Sequence, residues 1–249
     1  MRLTVLGCAG THTAPGRMCS SYLVEHDGYR LLLDCGNGSL GNLLTVSDVA
    51  EVDALLISHL HPDHFADLYG IYYALRFHPS GPGQIPVYAP AGAEEFVTQL
   101  LPGESARTFG QRCPMTVVAP GQRLELGPLT VTLHRSFHPI ETLASRVEAG
   151  GRVLAYSADS APSADVVACA AGADLFMCDA SWLETDRPFD DGVHCTGLDA
   201  GRMAAQAGAA RLLVTHVYPD HDPELGVEEA HSVFDGEVRA AADLDVVEL

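Results

Sequence analysis

The chain has no lysine. All 14 of its basic residues are arginine, and they face 33 acidic residues, giving a formal charge of −19 over 249 residues. A nucleic-acid binder carries a basic patch that releases counterions from phosphates, whereas this surface repels a polyanion over most of its area. A long RNA, a duplex DNA or an anionic membrane face is therefore disfavoured as partner, and a small anion drawn to a local positive site is not. No apolar stretch approaches the ~18–20 residues of a membrane span. Leu3–Leu6 runs straight into Gly7, too short for a signal-peptide core, and reads as a first strand. The seven cysteines are odd in number and include no CxxC pair. With no mark of export they read as small core residues of a protein in a reducing cytoplasm. At 47% hydrophobic and 19% charged, the composition also excludes disorder as the main state.

Short apolar runs at Leu3–Leu6, Ser21–Glu25 and Tyr29–Asp34 read as consecutive strands. Helical spacing follows over Asn37–Val46, a buried strand over Asp53–Ser58, and one helix over Phe65–Phe77. Strands at Ile85–Tyr88 and Thr116–Val118 flank a helix over Glu94–Leu101. A second set of strands covers Leu124–Leu126, Leu129–His134, Leu143–Val147 and Val153–Ser157. The remainder alternates: helix Ala164–Ala171, strand Asp174–Cys178, helix Leu198–Ala207, strand Arg211–Thr215, helix Val227–Phe234, and a last strand near Val246. No linker or low-complexity tract divides the chain. Two strand sets, each covered by helices, predict an α/β fold, a four-layer αβ/βα sandwich folded as one domain over 1–249.

The segment Leu55–His64 matches Leu212–His221 at six of ten positions. Both read as a buried strand leaving into a His-bearing loop and turning at Pro-Asp. That is either recurrent strand-and-turn chemistry or a repeated half whose two strand ends face one site. The first copy ends in His59-Leu60-His61-Pro62-Asp63-His64. Four metal-capable side chains in six residues behind a buried strand exceed what core packing satisfies. His59 and His61 alternate on extended backbone, whereas Asp63 and His64 sit on the turn beyond, so the four can divide between two ions. Asp63 is also placed to cap the helix starting near His64.

This HxHxDH block resembles that of the metallo-β-lactamase superfamily of binuclear metallohydrolases. The rest of that family's pattern follows in order: Phe137-His138-Pro139, then Tyr156-Ser157-Ala158-Asp159-Ser160, then Thr215-His216. Leu6-Gly7-Cys8-Ala9-Gly10, Ser20-Ser21, Leu33-Asp34-Cys35-Gly36-Asn37-Gly38 and His194-Cys195-Thr196 look like its RNase Z branch. The resemblance implies one metal on His59, His61 and His138, a second on Asp63, His64 and His216, and Asp159 bridging them. Imidazole and carboxylate ligands with open positions suit two divalent ions, Zn²⁺ first and Mn²⁺ as the alternative. Such a pair can share a hydroxide and clamp a displacement at phosphorus. His194 is implied as the general acid, ahead of a Thr196–Asp199 capping box that opens a helix, and Asp63 as the group orienting the attacking hydroxide. Pro62 and Ala158 stand where the branch usually has Gly or a small polar residue. His221, Asp220, His78 and Arg76 lie near these motifs without a defined part in them.

Three classes of substrate follow. The first is a small phosphodiester such as a cyclic nucleotide; the His194 motif favours phosphorus chemistry, and the short tail His194–His216 with Leu198–Gly208, like Asp179-Ala180-Ser181-Trp182 upstream, looks like cyclic-nucleotide phosphodiesterases of this branch. The second is an acyl substrate (lactam, lactone or thioester), and the third a tRNA 3′ end. Members that process tRNA carry a long Gly/Pro-rich arm between the His138 and Asp159 motifs. Here Asp159 lies only 21 positions after His138, enough for two strands and a turn. The resemblance leaves a homodimer open, with the helix around Tyr69, Tyr72 and Tyr73 either core or interface.

Overall fold

Alternation within the first strands sets the layers. In β3 (Tyr29–Leu33) the side chains of Leu31 and Leu33 point to one face of the sheet and Leu32 to the other, yet all three are buried. A strand buried on both faces must lie between two packed layers. The computed structural model, which describes residues 1–186 and 192–249, has this arrangement.

One sheet holds β1 (Arg2–Gly7), β2 (Ser21–His26), β3, β4 (Ala54–Leu56), β5 (Val87–Ala89) and β6 (Met115–Val117). The other holds β7 (Arg123–Leu126), β8 (Leu129–Arg135), β9 (Leu143–Ala149), β10 (Arg152–Tyr156), β11 (Leu175–Asp179), β12 (Arg211–Thr215) and β13 (Glu237–Ala240). A last strand, β14 (Val246–Glu248), returns to pair with β1. The spatial orders are β14-β1-β2-β3-β4-β5-β6 and β13-β12-β11-β10-β9-β8-β7. Each sheet is antiparallel on one side and parallel on the other, the change falling at β3 in the first and at β10 in the second.

Three apolar clusters separate four layers. Leu31, Leu33, Tyr22 and Leu56 meet Leu133, Val147, Tyr156 and Met177 between the sheets. On the outer face of the first sheet, Leu32 and Leu55 pack with Leu43 of α1 (Ser39–Val46) and with Ile71 and Leu75. The latter two belong to α3 (Leu68–Arg76), which follows the one-turn α2 (Pro62–Phe65). Also on this side lie α4 (Ala93–Thr98) and α5 (Gly103–Arg112), contributing Val97 and Phe109. The second sheet's outer face is covered by α6 (Ala164–Cys169), α7 (Gly197–Ala207) and α8 (Pro223–His231). The predicted four-layer αβ/βα sandwich is the observed fold.

Several details differ from expectation. The helix expected over Phe65–Phe77 is two pieces, because the Asp67 N–H donates to Cys35 O and the Asp67 carboxylate accepts from Leu40 N. Helix α5 and strand β13 were not foreseen. The former buries only Ser105 and Phe109, and the latter is an edge strand burying Val238 alone. Tyr72 is core, whereas Tyr73 is more than a third exposed. All seven cysteines are free and buried. No described helix is long and apolar enough to cross a membrane.

Candidate metal centre and active site

The loops at the C-terminal ends of β4, β8, β10 and β12 meet at one place. The β4 loop brings His59 and His61, and α2 directly behind it brings Asp63 and His64. His138 follows β8, Asp159 follows β10, and His216 follows β12. Pro62 occupies the first position of α2, where its missing N–H would have been unpaired anyway. Asp63 does not cap that helix; its carboxylate turns inward and accepts from Thr11 N at 2.7 Å.

Ligand atoms of His59, His61, His138 and Asp159 lie within 4.8 Å of one another, and so do those of Asp63, His64, Asp159 and His216. Asp159 belongs to both groups and divides its oxygens between them. Oδ1 is 3.0 Å from His64 Nε2 and 3.2 Å from His216 Nε2, whereas Oδ2 is 3.5 Å from His59 Nε2 and 3.9 Å from His138 Nε2. All seven residues singled out in the sequence as ligands are thus together, in the two sets expected.

The outer hydrogen bonds decide which ring nitrogen faces inward. His64 Nδ1 is 2.9 Å from Asp34 Oδ2, an acceptor only, so Nδ1 carries the proton and Nε2 presents its lone pair. Ser58 Oγ donates to Asp34 Oδ2 and therefore accepts from His59 Nδ1 at 3.0 Å, which bares His59 Nε2. Ser181 Oγ donates to Asp179 and so accepts from His216 Nδ1 at 2.8 Å, and His138 Nδ1 donates to Val193 O. Four imidazoles thus turn Nε2 toward carboxylate oxygens or toward one another, free to bind once any proton there leaves; His138 Nε2 lies 3.1 Å from His61 Nδ1. Among the described residues, His59 Nε2 is buried without a hydrogen-bond partner. Lone pairs converging on lone pairs require protons or cations between them, and the donor set is that of a metal site.

Electrostatics agree. Burial and the neighbouring histidines hold His59 well below the usual imidazole range, keeping it neutral. Burial works against the charged forms of His64 and His216, but Asp159 with Asp34 or Asp179 overcomes it: His64 is raised well above its ordinary value and His216 to about 10. For Asp159, burial opposes ionisation and the surrounding imidazoles outweigh it, so the carboxyl is held low. Protons fill the second group of donors where a cation would displace them.

His194 stands beside the cluster. It lies just before α7, whose N-cap Thr196 forms the expected capping box with Asp199. His194 Nδ1 donates to Asp179 Oδ2 at 2.8 Å, its ring stacks on that of His216, and its side chain lines the same cavity as Asp63 and Asp159. Burial lowers its pKa, Asp179 raises it further, and the net shift is upward.

Asp34 and Asp179 carry no role in the sequence reading, yet each anchors two histidines. Asp34 accepts from Ser58 N, Ser58 Oγ, His64 and Tyr156 OH. Asp179 accepts from Ser160 N, Ser181 N, Ser181 Oγ and His194. The signal for Asp179 was present as a lone carboxylate closing a strand buried at every position. Thr11, Asp34, Ala158 and His216 all have positive φ without being glycine; strain of this kind gathers where surrounding structure fixes a functional loop. Ala158 keeps the left-handed backbone (φ 50°) that glycine would adopt freely. Close approach requires the glycines that touch ligand residues: a Cβ on Gly10 would lie 2.5 Å from His216 O, and one on Gly36 would collide with Asp63 O.

Other residues near the motifs lie outside the cluster. His221 bonds Ser181 O and pairs with Asp186; His78 pairs with Asp48 at the surface; Arg76 pairs with Glu104. Asp220 joins neither group of ligand atoms. Cys195 is buried packing, its thiol directed to Ser160 O.

Residues 29–217 match the family model described as the beta-lactamase superfamily domain. The chain belongs to the metallo-β-lactamase superfamily. An uncharacterised protein of Mycobacterium tuberculosis is 36% identical over 96% of this chain and 89% of its own length. The probable metallo-hydrolase YhfI of Bacillus subtilis is 33% identical over 97% of each chain. The crystal structure of YhfI superposes with a TM-score of 0.87 over 99% of both, at 30% identity. A ribonuclease Z of Halorubrum lacusprofundi is 29% identical over 304 aligned positions, covering 100% of this chain and 97% of that one. The protein is thus a metallo-hydrolase of this superfamily, with a His/Asp cluster suited to metal.

Proposed function

We propose that the protein hydrolyses a small phosphodiester, with a cyclic nucleotide as the substrate class. His59, His61 and His138 would hold one divalent cation and Asp63, His64 and His216 a second, Asp159 facing both, with Zn²⁺ the first choice and Mn²⁺ the alternative. Cations there would supply Lewis acidity toward a phosphoryl oxygen and make water nucleophilic at neutral pH.

The observation that carries the reading is the His194–Asp179 pair. Two cations suffice to polarise a reactive acyl group, but an alkoxide leaving from phosphorus needs a proton. Asp179 fixes the proton on His194 Nδ1 and raises the ring's basicity, so Nε2 can hold a second proton and deliver it to the departing oxygen. Asp63, held by Thr11 N, can accept a hydrogen bond from the incoming water and orient it. The cavity is about 350 Å³ and is bordered by Thr11, His61 and Pro62 as well as by the acidic and His residues named, a size for a small ligand.

A large RNA is poorly served. The stretch from His138 to Asp159 is taken up by the β9–β10 hairpin with its Gly150-Gly151 turn. The Halorubrum lacusprofundi ribonuclease Z aligns over 304 positions, 55 more than this chain has. The charge of −19 weakens polyanion binding further. The test is hydrolysis of 3′,5′-cyclic AMP and bis(p-nitrophenyl) phosphate by protein loaded with Zn²⁺ or Mn²⁺, beside a tRNA precursor and a lactone. Turnover of both diesters is expected. Turnover of the lactone alone, or of the tRNA precursor far above the cyclic nucleotide, overturns the proposal.

A further inference from the structure

We propose that the hollow next to His61 is a specificity pocket for a flat, N–H-bearing ring of the substrate; this rests on the small-phosphodiester reading. The hollow is about 330 Å³ and is lined by Leu60, Pro90, Phe96 and Ile140 together with His61 and the exposed Glu141. That volume falls in the range of small-molecule sites, ~300–1,000 Å³.

His61 also lines the cavity holding Asp63, Asp159 and His194, so one side chain borders both spaces. Part of the wall comes from the segments that carry the ligands, and the rest, with Phe96, packs against one of them. Leu60 sits between His59 and His61, Ile140 and Glu141 follow His138 closely, and Phe96 packs edge-on against Phe65, the residue after His64, with ring centroids 5.8 Å apart. Any ligand in the hollow is thereby placed in fixed register with the His/Asp cluster.

The lining states what fits. Phe96 leaves 46% of its surface exposed and Ile140 38%, an aromatic face and an aliphatic wall on which a planar ring can stack. The carboxylate of Glu141, the charged group among the lining residues, has no ion pair or hydrogen bond among the described residues. It attracts N–H donors and repels a second phosphate. The pocket therefore favours an amino-bearing heterocycle over a ring without N–H donors and over a polyphosphate.

The test uses metal-loaded protein and two nucleosides that differ only in the exocyclic amine, adenosine and purine riboside, with dissociation constants read by ligand-observed NMR. Wild type is expected to bind adenosine more tightly. Phe96→Ala weakens both by about fivefold or more. Glu141→Gln narrows the gap between them, and Leu100→Ala, at an exposed site outside the pocket, changes neither. The KM for 3′,5′-cyclic AMP rises in the same variants, and circular dichroism checks their folding. Equal affinities in wild type and Phe96→Ala overturn the pocket. If the diesters are turned over without Phe96-dependent nucleoside binding, the pocket fails and the phosphodiesterase reading stands. If nucleoside binding depends on Phe96 while no diester is turned over, the pocket stands and that reading fails.

Discussion

Asp34→Asn exchanges one oxygen for an amide nitrogen in a side chain that lies outside the two ligand groups but bonds His64 directly, and its effect is calculable from the hydrogen bonds. The amide oxygen can keep Ser58 N at 2.7 Å, which puts the NH₂ where Oδ2 now accepts from Ser58 Oγ, His64 Nδ1 and Tyr156 OH. Donor then faces donor three times. His64 relieves its clash by moving its proton to Nε2, and Ser58 Oγ by turning to donate to His59 Nδ1, which drives the His59 proton to Nε2 as well. One substitution thus blocks a nitrogen in each metal group. Loss of such an outer partner typically weakens metal affinity 10–100-fold, about 1.4–2.8 kcal/mol at each site. Tyr156→Phe is the control: it removes one of the same bonds, costs about 1.5–3 kcal/mol of stability, and leaves both tautomers intact. Competition titration against a chromogenic chelator, with thermal melts of the chelator-treated proteins, separates the two effects. Wild-type affinity at both sites in Asp34→Asn would refute the tautomer argument.

Three further outcomes are expected. His194→Ala lowers turnover of 3′,5′-cyclic AMP by about 10²–10⁴ but affects bis(p-nitrophenyl) phosphate much less, since its leaving group needs no proton; equal losses on both, or lost metal, would remove the acid role. Gly10→Ala pushes on His216, whose O and Nδ1 would lie 2.5 and 2.7 Å from the new Cβ, and so weakens the cation flanked by His64 and His216 while sparing the other, as metal titration would show. In the metal-free protein, His64 and His216 have raised pKa values. Their contribution to stability is therefore complete below the unfolded value of about 6.5 and fades as pH rises toward the folded values. Between about pH 7 and 8.5 the melting temperature of the metal-free form is expected to fall, while metal affinity rises by about tenfold per pH unit for each proton displaced. A flat profile in both measurements would contradict this.

Much of this was legible along the chain because spacing and chemistry coincide. The HxHxDH block, His138, Asp159 and His216 each follow a strand, and a strand end is where a short loop can hold a ligand rigidly. Asp34 and Asp179 were harder to read. Their partners Ser58, Tyr156, Ser181 and His194 come from other strands and loops, so their function exists only after the sheets are docked. Helix α5 has no legible signature in the sequence because its single buried large side chain, Phe109, gives no periodicity. The break between α2 and α3 is set by Cys35 and Leu40, about thirty residues away in sequence, and no local pattern announces it.

His59, His61, Asp63 and His64 come from the first sheet, and His138, Asp159 and His216 from the second. A cation held by both sets is a clamp across the seam of the sandwich. At a free metal concentration a thousand times the dissociation constant, such a clamp adds about 4.1 kcal/mol, a large part of the 5–15 kcal/mol by which domains are ordinarily stable. Starving the protein of metal would then do more than silence it. The two halves would part more often along the Tyr22–Thr215 and Tyr156–Asp34 bonds that also cross the seam, opening the apolar interior to proteases. Metal supply would set how long each molecule survives as well as how fast it works.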